Sequence, residues 1–339
     1  MRPRSLLATA GSALSALLVG GLVAVQSHIN GQLAVQLGAG PTGAAVAALV
    51  SFGGGFVVLC TMCASSARTR RGLRRVADAV RTGRLRPWQL VGGSAGALLV
   101  ASQGLTVATI GVAVFTVAVV AGQTTSAIFV DRAGIGPAGH RPVTPGRTLG
   151  AVLAVLAVGL TLSGRLEGAA ALAPAALLLA ALPLLAGAGG AWQQAVNGQV
   201  SVVGGPFPAA LLNFFVGTTL LMLFALLTVA LGGRPAAPPD TWWLYVGGPL
   251  GVVFISSAAV LVRVLGVLVF GLCAISGQVI TALLVDLVVA DLAIGPLTVA
   301  GTLLTLVGVA VAALPGRVRR DTRPAAAGAD DRTRSPDLQ

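Results

Sequence analysis

Two polar segments interrupt the apolar stretches of this 339-residue chain: Gln26-Ser27-His28-Ile29-Asn30-Gly31-Gln32-Leu33 and, 167 positions later, Gln193-Gln194-Ala195-Val196-Asn197-Gly198-Gln199-Val200. A primary amide both donates and accepts hydrogen bonds, and removing it from water is costly unless it finds partners. Gln26 and Asn30 are four residues apart, as are Gln193 and Asn197, so on a helix each pair shares one face. Three roles fit such a pair. The amides can line a path for a neutral or zwitterionic solute, in which case Gln32 and Gln199 join them; they can bond helix to helix, at about 0.6–2 kcal/mol per contact; or they can cap helices near the two membrane surfaces. His28 has Ala195 as its counterpart, so the imidazole is not part of the shared chemistry. Trp192 beside Gln193 suits either stacking on a solute or, like Trp243, an interfacial anchor.

Further polar groups recur in the same way. Gln123 and Gln278 each follow a glycine inside an apolar run, and Asn213 stands where the first half has Ser51. Asp131 and Asp286 are matched acids. Asp131 beside Arg132 reads as an interfacial salt partner, whereas Asp286 has no basic neighbour in sequence. Its carboxylate is expected either at a solvated helix end or as a group that titrates and couples transport to protons. Other chemistry finds little support. Cys60 and Cys63 form an isolated C-x-x-C with no second pair or histidine cluster to complete a metal site. There is no phosphate-binding G-x-x-x-x-G-K-[ST] loop and no paired-acid or histidine constellation of the kind a membrane enzyme would use. No catalytic residue, metal or cofactor is expected.

The elements that must hold these amides are apolar. The chain is 55% hydrophobic and 9% charged, with a mean hydropathy of +0.91. Soluble domains carry about 25% charged residues. Runs of about 20 apolar residues, the length that crosses a bilayer, fall near 6–27, 42–64, 88–107, 111–130, 146–163, 174–194, 207–231, 242–261, 265–287 and 296–315. Prolines 41, 87, 145, 206 and 296 stand near the starts of five of them. The first run is longer than the core of a secretory signal and reads as an uncleaved span. An all-α integral membrane protein with ten transmembrane helices follows. The formal charge of +12 does not indicate nucleic acid, because all 22 basic residues are arginines placed between apolar runs.

Those arginines set an orientation. With the N-terminus in the cytoplasm, 20 of them lie inside, and Arg165 and Arg234 lie outside. The run of eight from Arg68 to Arg86 reads as a topology signal on the inner leaflet rather than as a dedicated lipid site. Residues 316–339 lack periodicity and read as a disordered cytoplasmic tail. Because each half holds five spans, the second half, 164–315, enters the membrane in the opposite sense to the first, 1–163. An offset of 155 pairs Gly92-Gly93 with Gly247-Gly248, Gly96 with Gly251, Gly122-Gln123 with Gly277-Gln278 and Asp131 with Asp286. Two inverted five-helix repeats are therefore expected. Small residues four apart, as in Gly92 and Gly96, serve close packing within a chain or in a homodimer equally well.

A first span ending in Gln-x-x-x-Asn-Gly-x-Leu (Gln26 to Leu33), a second containing Ser51-Phe52-x-x-Gly55, and their repeats at Gln193 to Val200 and Asn213 to Gly217 resemble the YdcZ-type branch of the drug/metabolite transporter superfamily. These are relatives of the EamA-like transporters. The resemblance covers about residues 5–316. It implies a cytoplasmic-membrane carrier, mostly described as an exporter, with ten helices, both termini inside and a central path opened alternately to each side. Small multidrug-type relatives use a glutamate in the first helix for proton coupling. This chain has no acid in 5–65. The expected function is secondary transport of small polar, zwitterionic or amphiphilic solutes, with the bilayer as its surroundings. A non-transporting scaffold and an integral membrane enzyme on lipid substrates are the competing classes.

Overall fold

The computed structural model describes residues 3–38, 40–137, 139–140, 143–165, 174–289 and 295–313. Among the described residues every regular element is helical: α1 (Pro3–Gln36), α2 (Gly40–Ser65), α3 (Ala67–Arg81), α4 (Gly93–Arg132), α5 (Pro145–Arg165), α6 (Pro174–Gly204), α7 (Pro206–Ala230), α8 (Gly247–Leu284) and α9 (Pro296–Ala313). The segments Gly11–Gln36, Gly40–Ser65, Pro87–Arg132 and Pro206–Ala230 are long and apolar enough to cross a membrane, and shorter apolar helices accompany them. Exposed leucines and valines on α5 and α7, such as Leu156 and Leu223, suit contact with lipid rather than water. The expected tail, 316–339, lies outside the described residues.

Helix α4 takes in two expected spans, 88–107 and 111–130. Straight, its 40 residues would reach about 60 Å, twice the roughly 30 Å of a hydrocarbon core. It is broken at Gly111, whose φ of 80° and ψ of 164° suit a residue without a Cβ. Each piece is then about one membrane thickness long. Helix α8 similarly combines the expected spans 242–261 and 265–287 and ends in a π-turn, Val285–Val289. Helices α1 and α6 continue through their amide segments instead of stopping at them.

The basic stretch between the second and third expected spans contains a helix, α3. Ser66 caps it, its Oγ accepting from Thr69 N, while Thr69, Gly72, Val76 and Ala79 form a buried stripe and the arginines face outward. Two of those arginines finish other helices. Arg70 donates to the carbonyls of Cys63 and Ala64 at the end of α2, and Arg75 to those of Val203 and Gly204 at the end of α6. Charge at a helix C-terminus satisfies orphan carbonyls and complements the dipole.

Packing rests on backbone approach at glycines, and the main approaches come in twins. A side chain built on Gly122 of α4 would strike Leu184 O of α6, and one on Gly277 of α8 would strike Leu17 O of α1. In the reverse direction Gly187 meets Val119 O and Gly20 meets Ala274 O. Gly93 lies against Asn213 O, and Gly248 against Ser51 O. Between α2 and α7, Phe52 and Phe214 pack with centroids 4.8 Å apart, each ring also covering the other helix's glycine: Phe214 on Gly55 and Phe52 on Gly217. Gly150 of α5 and Gly308 of α9 face one another's carbonyls. Bilayers give helices no hydrophobic reason to associate, so close dispersion contact of this kind has to hold them together.

Gly93→Ala and Gly248→Ala are each expected to destabilise the protein by about 1–3 kcal/mol through overpacking. Gly53→Ala and Gly190→Ala, where a Cβ meets nothing within 4 Å, are expected to be close to neutral. Thermal unfolding in detergent reads the difference; equal shifts at all four positions would contradict the assigned contacts.

Candidate functional site

The two amide segments end up in centres of different character. Asn30 is fully buried on α1, and its Nδ2 donates to Gln103 Oε1 of α4 at 2.6 Å. Gln103 Nε2 donates to Ser27 Oγ at 3.0 Å, and Ser27 Oγ donates to Val23 O. Asn30 Oδ1 and Ser51 Oγ are buried without a hydrogen-bond partner, and both border Gly247. Ser27, Asn30 Nδ2 and Gln103 are joined by these bonds, while the two buried oxygens beside Gly247 keep unused acceptor capacity. Gln26, half-buried, approaches Gly251.

The second centre is looser. Asn213 Oδ1 of α7 accepts from both Gln193 Nε2 (2.8 Å) and Asn197 Nδ2 (3.0 Å) of α6. The carbonyl oxygens of Gln193 and Asn197 and the amide nitrogen of Asn213 then keep unspent capacity among the described residues. Gln193 and Asn197 are half-buried, and Trp192 beside them is too. Gln199 Nε2 turns away to the carbonyls of Ile135 and Gly136 beyond the end of α4. Gln32, Gln123 and Gln278 are half-buried and make no side-chain hydrogen bond among the described residues.

The difference between the centres has a local cause. The position matching Gln103 is Ala258, so the second centre has no glutamine from α8 to bond; the position matching Asn213 is Ser51, too short to bridge two amides. Gln103 was not among the expected site residues. Its signal was available as an unmatched amide in an apolar span.

Asp286 is 2% exposed, not solvated at a helix end. Its two carboxylate oxygens accept from Val112 N and Ala113 N, each at 2.8 Å. These are first amides of the helical piece after the Gly111 break, which have no intrahelical acceptor, and a carboxylate at that position also meets the positive end of the helix dipole. Asp286 thus ties the end of α8 to the interior of α4, and His28 of α1 lies within its Coulombic reach. Asp131 does not repeat the arrangement. It forms a half-exposed ion pair with Arg147, not with its neighbour Arg132. Among the described residues no group of three or more histidine, cysteine or acidic side chains could hold a metal ion.

A family model described as "Putative inner membrane exporter, YdcZ" matches residues 12–160 and 178–311. A crystal structure described simply as that of a protein is similar in fold: it is 19% identical, with a TM-score of 0.50, over 88% of this chain and 96% of that one. No curated protein matches.

Replacing Asp286 with Ala is expected to lower the unfolding temperature markedly, since each orphaned buried amide costs about 1–3 kcal/mol. Gln103→Met, which strands Asn30, is expected to cost more than Gln193→Met, after which Asn213 Oδ1 keeps Asn197. Detergent melting curves of the three variants check the ranking, and a neutral Asp286→Ala would contradict it.

Proposed function

The chain belongs to the YdcZ family of inner membrane exporters within the drug/metabolite transporter superfamily, and from that premise we propose that it is a secondary transporter working by alternating access. It is a multi-pass protein of the plasma membrane. In our reading, ten spans form two inverted five-helix repeats, 1–163 and 164–315, with both termini in the cytoplasm. The observation that carries this is the twinning of the backbone contacts: α4 meets α6 through the residues that correspond, one by one, to those through which α8 meets α1. Inverted repeats packed on each other by equivalent surfaces have two equivalent ways to rock, which is how alternating access is commonly built. Glycine faces free of interlocking side chains favour such motion. The exporter family also fits a carrier rather than an enzyme.

The solute path runs past the Gln193, Asn197 and Asn213 centre, where hydrogen-bonding capacity is left over. Small polar, zwitterionic or amphiphilic solutes suit those amides. Gln26, Asn30, Gln32, Gln123, Trp192, Gln199 and Gln278 complete the candidate lining, with Asn30 contributing through its free Oδ1 when the helices shift. Asp286 is the coupling carboxylate. Ionised, it grips two amides at the Gly111 break; protonated, it accepts more weakly and loosens the joint between the end of α8 and α4. His28 is a titratable group within its reach.

Purified protein in proteoliposomes is expected to move solutes identified by a growth or toxicity screen of a deletion strain, and Asn197→Ala is expected to reduce flux at least tenfold with expression unchanged. Asp286→Asn is expected to remove the dependence of flux on an imposed proton gradient. No flux for any such solute would overturn the carrier reading. A flux indifferent both to the gradient and to Asp286→Asn would remove the coupling role while leaving the carrier.

A further inference from the structure

Beneath α3 lies a cavity of about 410 Å³, lined by the end of α2, the start of α3, the turn between α6 and α7, and the first third of α8. Its size is within the usual range for small-molecule sites. Ser201 and Ser256 bring hydroxyls to its wall, and Ser66, Arg68 and Thr69 bring the N-terminal turn of α3. Thr69 is 8% exposed, and its hydroxyl has no partner among the described residues. The amide N–H groups of Ala67 and Arg68 belong to the first turn of a helix, where no intrahelical carbonyl serves them. Arg75, also on the wall, is committed to the carbonyls of Val203 and Gly204, whereas Arg68 makes no ion pair or hydrogen bond among the described residues. The Arg68 guanidinium, the hydroxyl of Thr69 on the cavity wall and the adjoining first turn of α3 form a donor set that suits an oxyanion.

The corresponding place in the first half is filled. At the positions corresponding to Ser201, Ile255 and Ser256 stand Ala34, Val100 and Ala101, all buried and packed. Ser201 also continues the face of α6 that carries Gln193 and Asn197, each one helical turn from the next. The face of α1 that carries Gln26 and Asn30 continues instead to Ala34. The cavity therefore stands at the foot of the amide centre that has hydrogen bonds to spare.

We propose that this cavity is an oxyanion-binding site facing the cytoplasm, which takes a carboxylate or phosphate group on Arg68, Thr69 and the first amides of α3. The oxyanion is the charged end of a zwitterionic or amphiphilic solute, or of an inner-leaflet lipid headgroup. Its cytoplasmic sidedness and its place on the solute path rest on the transporter reading; the binding itself does not.

The test uses the full chain, purified in a neutral detergent, and follows thermal unfolding at constant ionic strength while inorganic phosphate or a soluble short-chain phosphatidic acid is added. Both are expected to raise the unfolding temperature saturably. Arg68→Gln is expected to increase the half-saturating concentration about tenfold, and Thr69→Val to increase it severalfold should Arg68→Gln fail to fold. Arg71→Gln, which removes the same charge away from the cavity, is expected to change nothing. Stabilisation by phosphate alone or by both probes supports the site with a soluble oxyanion as ligand; stabilisation by the lipid alone supports it with a headgroup as ligand. No stabilisation by either, or equal weakening by Arg71→Gln and Arg68→Gln, overturns the site. Because no flux is measured, that failure is separate from a failure of the transporter reading.

Discussion

A hydrocarbon interior offers no hydrogen bonds, so every polar group placed there has to be answered by another part of the protein. The fold is arranged around that demand. Long helices satisfy most of their own backbone, and the places where they do not are met individually. The break at Gly111 leaves amides that Asp286 accepts from. The ends of α2 and α6 receive arginine side chains from α3. Ser27, Asn30 and Gln103 bond to one another and leave only Asn30 Oδ1 unanswered. Both amide centres meet the demand incompletely: Asn30 Oδ1 stays unpaired in a fully buried place, and the half-buried Gln193 and Asn197 keep their carbonyl oxygens unbonded.

The second constraint is cohesion. Since lipid is as apolar as leucine, helices in a bilayer stay together through contact distance, and glycine gives the shortest distances. The matched contacts of α4 with α6 and α8 with α1 show the chain using one solution twice. Between these twinned surfaces the differences stand out. One amide centre is fully buried and bonded to α4 while the other is half-buried and bonded to α7, one matched aspartate is buried on backbone amides and the other paired with Arg147, and the positions around the cavity have packed counterparts. Function in a duplicated scaffold is expected to reside in such departures, because the shared parts are needed for packing.

Much of this was legible in the residues. Apolar run length gave the helical membrane class, and the glycine pairs at an offset of 155 marked the positions that make twinned contacts. The amide segments identified both centres. What the residues did not reveal depended on distant partners. Nothing near Asp286 in sequence indicates Val112, and nothing near Asn30 indicates Gln103, although an unmatched glutamine in an apolar span was a usable sign. Helix α3 was legible in principle, since its arginines and its buried stripe of Thr69, Gly72, Val76 and Ala79 fall on opposite faces with a helical period; reading the arginines only as an orientation signal passed over that period.

The bond between Asp286 and the Gly111 break also bears on how the chain is made. Val112 and Asp286 are 174 residues apart, so during synthesis the amides after the break enter the membrane long before their acceptor exists. At ribosomal rates of about 5–20 residues per second this interval lasts roughly ten seconds or more. Until then the newly inserted segment must keep those amides near the headgroups, borrow another acceptor or be sheltered by the insertion machinery. The final acceptor for the amides at the Gly111 break is thus supplied only when the last part of α8 has been made.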